Sequence, residues 1–146
     1  MIFKNFPMPC TSNKLYTSVR GRLIKSAEAR KFDLKAQRWA YANNRAIQQL
    51  KLNLEAIRAN GGYFRLTVWF TFDKSSVFTK KGELKKLDHS NRIKQTHDMI
   101  AKIIGFDDSL FVHTEEFKVY CDRKEDEQVI FKIEQANIKH IEDVQP

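Results

Sequence analysis

Apolar residues at Phe32, Ala36, Trp39, Ile47, Leu50, Leu54 and Ile57 recur at steps that line one stripe of a helix. Ser26 is a good N-cap for that run and Glu28 supplies an acid to its first turn. Asn60-Gly61-Gly62 has the chemistry of a helix end. The pattern predicts one long helix from Ser26 to about Asn60. Asn43 interrupts the stripe, either to set register against a partner helix or to mark a kink. The period then changes, and Phe64, Leu66, Val68, Phe70 and Phe72 alternate with Tyr63, Arg65, Thr67, Trp69 and Thr71 as in a strand with one buried face. From Asp73 to Leu87 no period survives, and lysines gather around Gly82. A second helix is predicted over Ser90–Ile104, burying Ile93, Ile100, Ile103 and Ile104. Two further strands, His113–Cys121 and Gln128–Glu134, read as a hairpin closed by the charged turn Asp122–Asp126. Pro7 to Lys25 reads as extended chain or a loose hairpin turning at Arg20-Gly21-Arg22. The order of elements predicts an α+β fold in one domain, residues 1–146, with a core over about 7–134 and a short tail over 135–146. A small mixed or antiparallel sheet would pack with two main helices.

Composition adds little to that picture. With 5 Gly and 3 Pro in 146 residues there is little room for long disorder, and the length suits one domain with a real core. Met1–Pro7 lacks the apolar run of a signal peptide and no stretch is long enough to cross a bilayer, so a cytoplasmic protein without a membrane partner is expected. Cys10 and Cys121 are too few for a disulfide framework or a metal knuckle. Charge says more. The net charge of +8 is unevenly spread: residues 1–58 hold twelve Lys or Arg against three acids, and residues 59–146 hold fourteen against fifteen. Such polarity fits a surface that tracks phosphates beside an acidic pocket, although a solvated basic helix face gives the same sum.

The acids concentrate around Lys86-Leu87-Asp88-His89-Ser90-Asn91-Arg92-Ile93-Lys94 and again at Gly105-Phe106-Asp107-Asp108. Carboxylates held close together repel unless a cation sits between them, so a basic chain that clusters acids is a candidate for metal-dependent chemistry on a polyanion. Asn91, Lys94 and Asp98 share one face of the second helix, and Asp88 and Ser90 stand at its N-terminus, where free N–H groups favour anions. Simpler readings stay open. Asp88 or Ser90 caps the helix, Asp107-Asp108 is a turn, Lys94 balances a neighbouring acid, and the lysine-rich loop is a solvated connector. His89, His97, His113 and His140 carry no pattern.

The order Asp88-x-Ser90-Asn91-x-x-Lys94-x-x-x-Asp98, then Gly105-x-Asp107-Asp108, resembles the RusA-type Holliday junction (crossover junction) endodeoxyribonucleases. That family carries an Asp-x-Asp-Asn-x-x-Lys motif, a helix and a second Asp-Asp step. Pro9-x-x-Ser12-Asn13-x-x-Tyr16 is similar to the family's Pro-x-Ser-Asn-x-x-Tyr segment, and Lys25-Ser26-x-Glu28 sits where a member has its Ser-x-Glu helix start. The resemblance runs from Pro7 to Glu134. It implies a homodimer that hydrolyses phosphodiesters of four-way DNA junctions in recombination and repair, using Mg²⁺ with Mn²⁺ as a substitute. Asp88, Lys94 and Asp108 match the catalytic carboxylates and lysine; Asp88, Ser90, Asp107 and Asp108 would surround the metal, supported by Asn91 and Asp98. Asn13, Lys14, Arg20, Arg22, Lys25, Lys80, Lys81, Lys85 and Lys86 would contact DNA phosphates, giving affinity rather than sequence preference.

One departure stands out: Ser90 occupies the place of the family's second Asp. A hydroxyl still ligates a hard ion or holds a water on it, so a variant active site is expected rather than a dead one. The alternatives are a non-catalytic homologue that binds branched DNA, or a nuclease for other branched or single-stranded DNA. Helix length raises a further possibility. A helix over Ser90–Ile104 is about 21 Å long and four further residues reach back at most about 14 Å, so Asp88 and Asp108 of one chain barely meet. Two copies packed antiparallel across a two-fold axis would instead build composite sites.

Overall fold

The computed structural model describes residues 1–10, 16–86 and 90–144. The fold starts with a strand that sequence periodicity does not show. β1 (Ile2–Phe6) pairs antiparallel with β6 (Gln128–Ala136), aligning Phe3 with Phe131 but Phe6 with Val129. Three steps on one strand face two on the other, so a bulge lies between them, and Asn5 takes a positive φ of 58° there. The extra residue changes the strand's parity and turns both phenylalanines, three positions apart, into the core. Phe3 stacks on Phe131 at 5.1 Å and Phe6 meets Trp39 edge-on at 5.1 Å. The indole Nε1–H of Trp39 donates to the Lys4 carbonyl at 2.9 Å, which satisfies the bulge and pins it to the first helix.

The predicted long helix is two helices, α1 (Ala27–Ala42) and α2 (Asn44–Ala59), so the expected pair of main helices becomes three. The break falls on Asn43, in favour of the kink reading. Its backbone leaves helical geometry at φ −106°, ψ 16°, and its side-chain amide donates to the Trp39 carbonyl at 2.8 Å. An Asn that bonds the preceding turn offers the backbone an alternative to the helical ladder. The start and end follow the sequence. Ser26 Oγ accepts the Ala29 N–H, and Gly61 adopts φ 78° beyond the last turn. Gly62 must also be small, since a Cβ there would lie 2.8 Å from Ile57 Cγ2.

β4 (Tyr63–Asp73) occupies the centre of a four-stranded mixed sheet of order β1-β6-β4-β5. It runs antiparallel to β6 and parallel to β5 (Phe111–Cys121). The expected hairpin of the last two strands is therefore incorrect: β5 and β6 flank β4 on opposite sides. The connection Asp122–Glu127 has to step over one strand, about 10 Å, which six residues span easily. Glu127 anchors the step by accepting the Asp73 N–H at 2.9 Å. β4 takes the centre because Thr67 and Thr71 on its second face are buried along with the five apolar residues of the first.

The parallel pairing requires a crossover, supplied by a short α3 (Lys74–Val77), a loop, and α4 (Ser90–Ile104), whose end matches the sequence reading. The three long helices share one core with Phe64, Leu66, Val68, Phe70 and Phe72. On the other face Trp69 stacks on Phe117, which is 42 % exposed. The segment before α1 is the foreseen hairpin, β2 (Tyr16–Val19) and β3 (Arg22–Lys25), turned by Arg20 at φ 51° and Gly21 at φ 75°. Two consecutive left-handed residues are the I′ turn that matches strand twist. Every residue of the hairpin is exposed.

Phe6→Ala is expected to lose about 3–5 kcal/mol in urea unfolding, the usual cost of emptying a buried aromatic site. A loss under about 1 kcal/mol would show that β1 frays without consequence for the core.

Candidate active site

α4 is amphipathic, and its two faces have separate tasks. Thr96, Met99, Ile100 and Ile104 are buried, while Asn91, Lys94, Asp98 and Lys102, at steps of three and four, form the opposite polar stripe. The N-terminal half of the helix is tied to the chain that follows β1. Gln95 Nε2 donates to the Cys10 carbonyl at 3.0 Å, the Cys10 thiol donates back to Gln95 Oε1 at 3.3 Å, and the Arg92 guanidinium lies over the Phe72 ring. These contacts settle the rotation of the helix and so the direction of its polar stripe.

The chain then doubles back. Gly105 ends α4 at φ 75°, with its N–H and that of Phe106 both donated to the Ala101 carbonyl, and Phe106 wedges edge-on against Phe64 at 5.2 Å. Asp107 Oδ1 accepts the Ser109 N–H at 2.8 Å, which starts a 3-10 turn over Asp108–Leu110; the Ser109 hydroxyl first, and then this N–H, hold the Asp107 carboxyl below its ordinary range. That reversal brings the Asp108 carboxyl beside that of Asp98. Burial raises the Asp98 pKa first, then the charge of Asp108 and its hydrogen bond; Lys94 and His97 pull in the other direction. Both carboxyls remain open to solvent on one side. Asp108 thus meets Asp98, about 9 Å back from the end of the helix and about 12 Å from Ser90.

Two partners of this pair carried no sequence signal. His97, with no motif around it, is half-buried beside Asp98 and lies 2.9 Å from Glu116 Oε1 on β5. Burial lowers its pKa, and Glu116, Asp98 and Asp108 oppose that shift. Only pairing in space exposes this contact, since position 97 is polar without period and Glu116 is nineteen residues away.

The remaining predicted residues fall into three groups. Lys94 and Asn91 lie on the same stripe as Asp98, with Lys94 one turn before it, and Ser90 is the first residue of the helix. Arg20, Arg22 and Lys25 are exposed on the hairpin, and Lys25 is paired with Asp33 at 2.7 Å. Lys80, Lys81, Lys85 and Lys86 are exposed on a loop more ordered than its sequence suggests: Phe78 and Leu84 form a β-bridge, and Lys85 Nζ donates to the Ser75 carbonyl. Asp88, Asn13 and Lys14 lie outside the described residues.

Hard divalent cations prefer oxygen donors, and a carboxylate pair under mutual repulsion is the arrangement such an ion relieves. The Asp98–Asp108 pair fits that chemistry. No cluster of three or more His, Cys, Asp or Glu side chains that could hold a metal occurs among the described residues.

A basic α+β domain with paired carboxyls and a lysine on one helix face has the charge pattern of a protein that works on phosphates. Comparison gives the class: residues 6–133 match the endodeoxyribonuclease RusA family, and the chain belongs to it. It is accordingly an endodeoxyribonuclease, of a family associated with resolution of Holliday junctions in recombination. No curated protein matches the chain. Among the described residues no helix is long and apolar enough to cross a membrane.

Asp98→Asn removes the repulsion and is expected to raise the melting temperature by a few degrees in metal-free buffer. Mg²⁺ or Mn²⁺ should raise the melting temperature of the unmodified protein and do so less in the variant. Equal responses of the two proteins to the ions would exclude this pair as the cation site.

Proposed function

We propose that the protein is a Mg²⁺-dependent resolvase of four-way DNA junctions, with Mn²⁺ able to substitute, acting as a homodimer in the cytoplasm in recombination and repair. The observation that carries the reading is the Asp98–Asp108 contact next to Lys94, a carboxylate pair with its charge conflict exposed to solvent on the polar face of α4. Asp98 and Asp108 would hold the ion with Asp107 beside them; Ser90, about 12 Å along the helix, and Asp88, two residues before it in sequence, would reach that ion only from the other subunit of a two-fold dimer. The ion would polarise a phosphoryl oxygen and make a water more acidic. Lys94 offsets negative charge that builds on the phosphate oxygens in the transition state, and its ammonium sits one helical turn before Asp98. Asn91, another turn away on the same stripe, orients the substrate or the neighbouring acids.

The exposed bases serve binding. Arg20, Arg22 and Lys25 on the hairpin, with Asn13 and Lys14 preceding it, and Lys80, Lys81, Lys85 and Lys86 on the loop that leads into the acidic motif, would follow phosphates on the arms of the junction. A branched substrate with two equivalent strands calls for two sites, which a two-fold dimer supplies. The open face of the sheet around Trp69 and Phe117 is apolar enough to contribute to such an interface.

A labelled four-way junction incubated with Mg²⁺ is expected to receive paired, symmetric nicks. Asp88→Asn and Asp108→Asn should each lower the cutting rate by about 10²-fold or more while leaving metal-free junction binding in place, and Lys94→Met should lower the rate as much. Binding without cutting in either ion would identify a non-catalytic branched-DNA protein. Replacing Arg20 and Arg22 with Ala should reduce the slope of log affinity against log salt by about 1.8, the share of two phosphate contacts. An unchanged slope would take the hairpin out of the DNA interface.

A further inference from the structure

A cavity of about 200 Å³ opens where the base of the hairpin, the first half of α1 and the polar stripe of α4 converge. Its composition differs from that of a phosphate cradle. The floor is formed by Phe32 and Met99, only 4 % and 6 % exposed, and Tyr16 stands at the mouth, 53 % exposed. The far wall carries Lys94 and Lys102, neither of which makes an ion pair among the described residues. Of the two acids lining the cavity, Asp33 is neutralised by Lys25 at 2.7 Å and Asp98 belongs to the carboxylate pair. An apolar floor, an aromatic ring at the mouth and two ammonium groups on one wall suit a flat heteroaromatic ring that carries phosphates. The volume lies below the range of about 300–1,000 Å³ typical of drug-sized ligands and leaves no room for a base pair.

We propose that this cavity receives one unpaired nucleotide of the strand to be cut. Its base would lie between the Tyr16 ring and the Phe32–Met99 floor, and its flanking phosphates would rest on Lys94 and Lys102. The inference rests on the junction-nuclease reading and adds to it the state of the substrate: a nucleotide out of the stack beside the scissile phosphate. Lys94 and Asp98 border the cavity and the carboxylate site alike, so a base seated in the one sets the phosphate against the other. Bases at a crossover already lack part of their stacking, which makes them the cheapest in the junction to unpair, and intact duplex would resist the same step. Selection for branched DNA follows from the size of the cavity without any contact to a particular base.

Photoreactive thiothymidine placed in turn at each crossover-flanking position tests this directly, in metal-free buffer so that the junction stays whole. Irradiation is expected to link the nucleotide next to the cut to Tyr16 or Met99. Tyr16→Ala should abolish that link and slow cutting by about tenfold, the share of one base–aromatic stack, whereas Tyr16→Phe should keep both. Links that form only outside the cavity, with cutting intact, would overturn the inference and leave the nuclease reading standing. Absence of cutting in Mg²⁺ and Mn²⁺ would instead overturn the nuclease reading. A free deoxynucleoside monophosphate offers the same chemistry. Tight binding of it at Tyr16, with no link from junction DNA, would mark a site for a free nucleotide and also overturn the proposal.

Discussion

The carboxyl groups of Asp98 and Asp108 meet at the surface of α4, and like charges at that distance are tolerated only because the surrounding chain leaves them no escape. Asp98 is held by the rotation of its helix, which Gln95, Cys10 and Arg92 lock against the segment after β1 and against Phe72. Asp108 is held by the reversal at Gly105, the Phe106 wedge on Phe64 and the 3-10 turn that Asp107 caps. The pair therefore depends on contacts with β4 and with the N-terminal segment, far apart in sequence. In the proposed site, the crowding of these two acids is the interaction a cation would relieve.

The same geometry makes sense of the uneven charge. The first 58 residues supply the basic excess, and their hairpin, exposed throughout, places Arg20 and Arg22 at a tight turn clear of the core. The acids lie where α4, the turn after it and β5 come together, with Glu116 and His97 behind Asp98. A polyanion drawn in by the basic region would be repelled by that acidic group without a counter-ion. In the proposed function, attraction and selectivity would fall to different parts of the chain: the exposed bases would draw in the polyanion, and the acids would admit it only with a counter-ion between them.

Much of this was legible in the sequence, for physical reasons that also explain the failures. β4 and α4 have undisturbed periods, and α4 ends at Ile104 as read. The I′ turn was visible because Arg20-Gly21 sits between short extended runs. β1 was missed because its bulge puts Phe3 and Phe6 on one face at a spacing of three, which matches neither the strand nor the helix period. The last two strands were read as a hairpin because a short charged connection usually makes one, and nothing local reveals that β4 lies between them. At the site, spacing gave the stripe Asn91, Lys94, Asp98 but ranked Asp98 as support. Only the fold-back of Asp108 brings Asp98 beside it. His97 and Glu116 needed tertiary contact to be noticed at all.

Ser90 also looks different once the acids are in place. Counted along the motif, a serine in place of a carboxylate subtracts a negative charge from a set of ligands and reads as a loss. Counted in space, Asp98 already carries a raised pKa from crowding by Asp108, with Asp107 adjacent and Glu116 behind. A carboxylate brought to that group from position 90 of a second subunit would add repulsion as well as affinity, and would favour protonation of its neighbour. A neutral hydroxyl at the first position of the helix adds an oxygen donor without that cost. It also leaves the backbone N–H groups of the first turn available to an anion. In the proposed site the serine shifts the balance from ion retention toward phosphate access, and an enzyme that must admit a bulky branched polyanion gains from that shift.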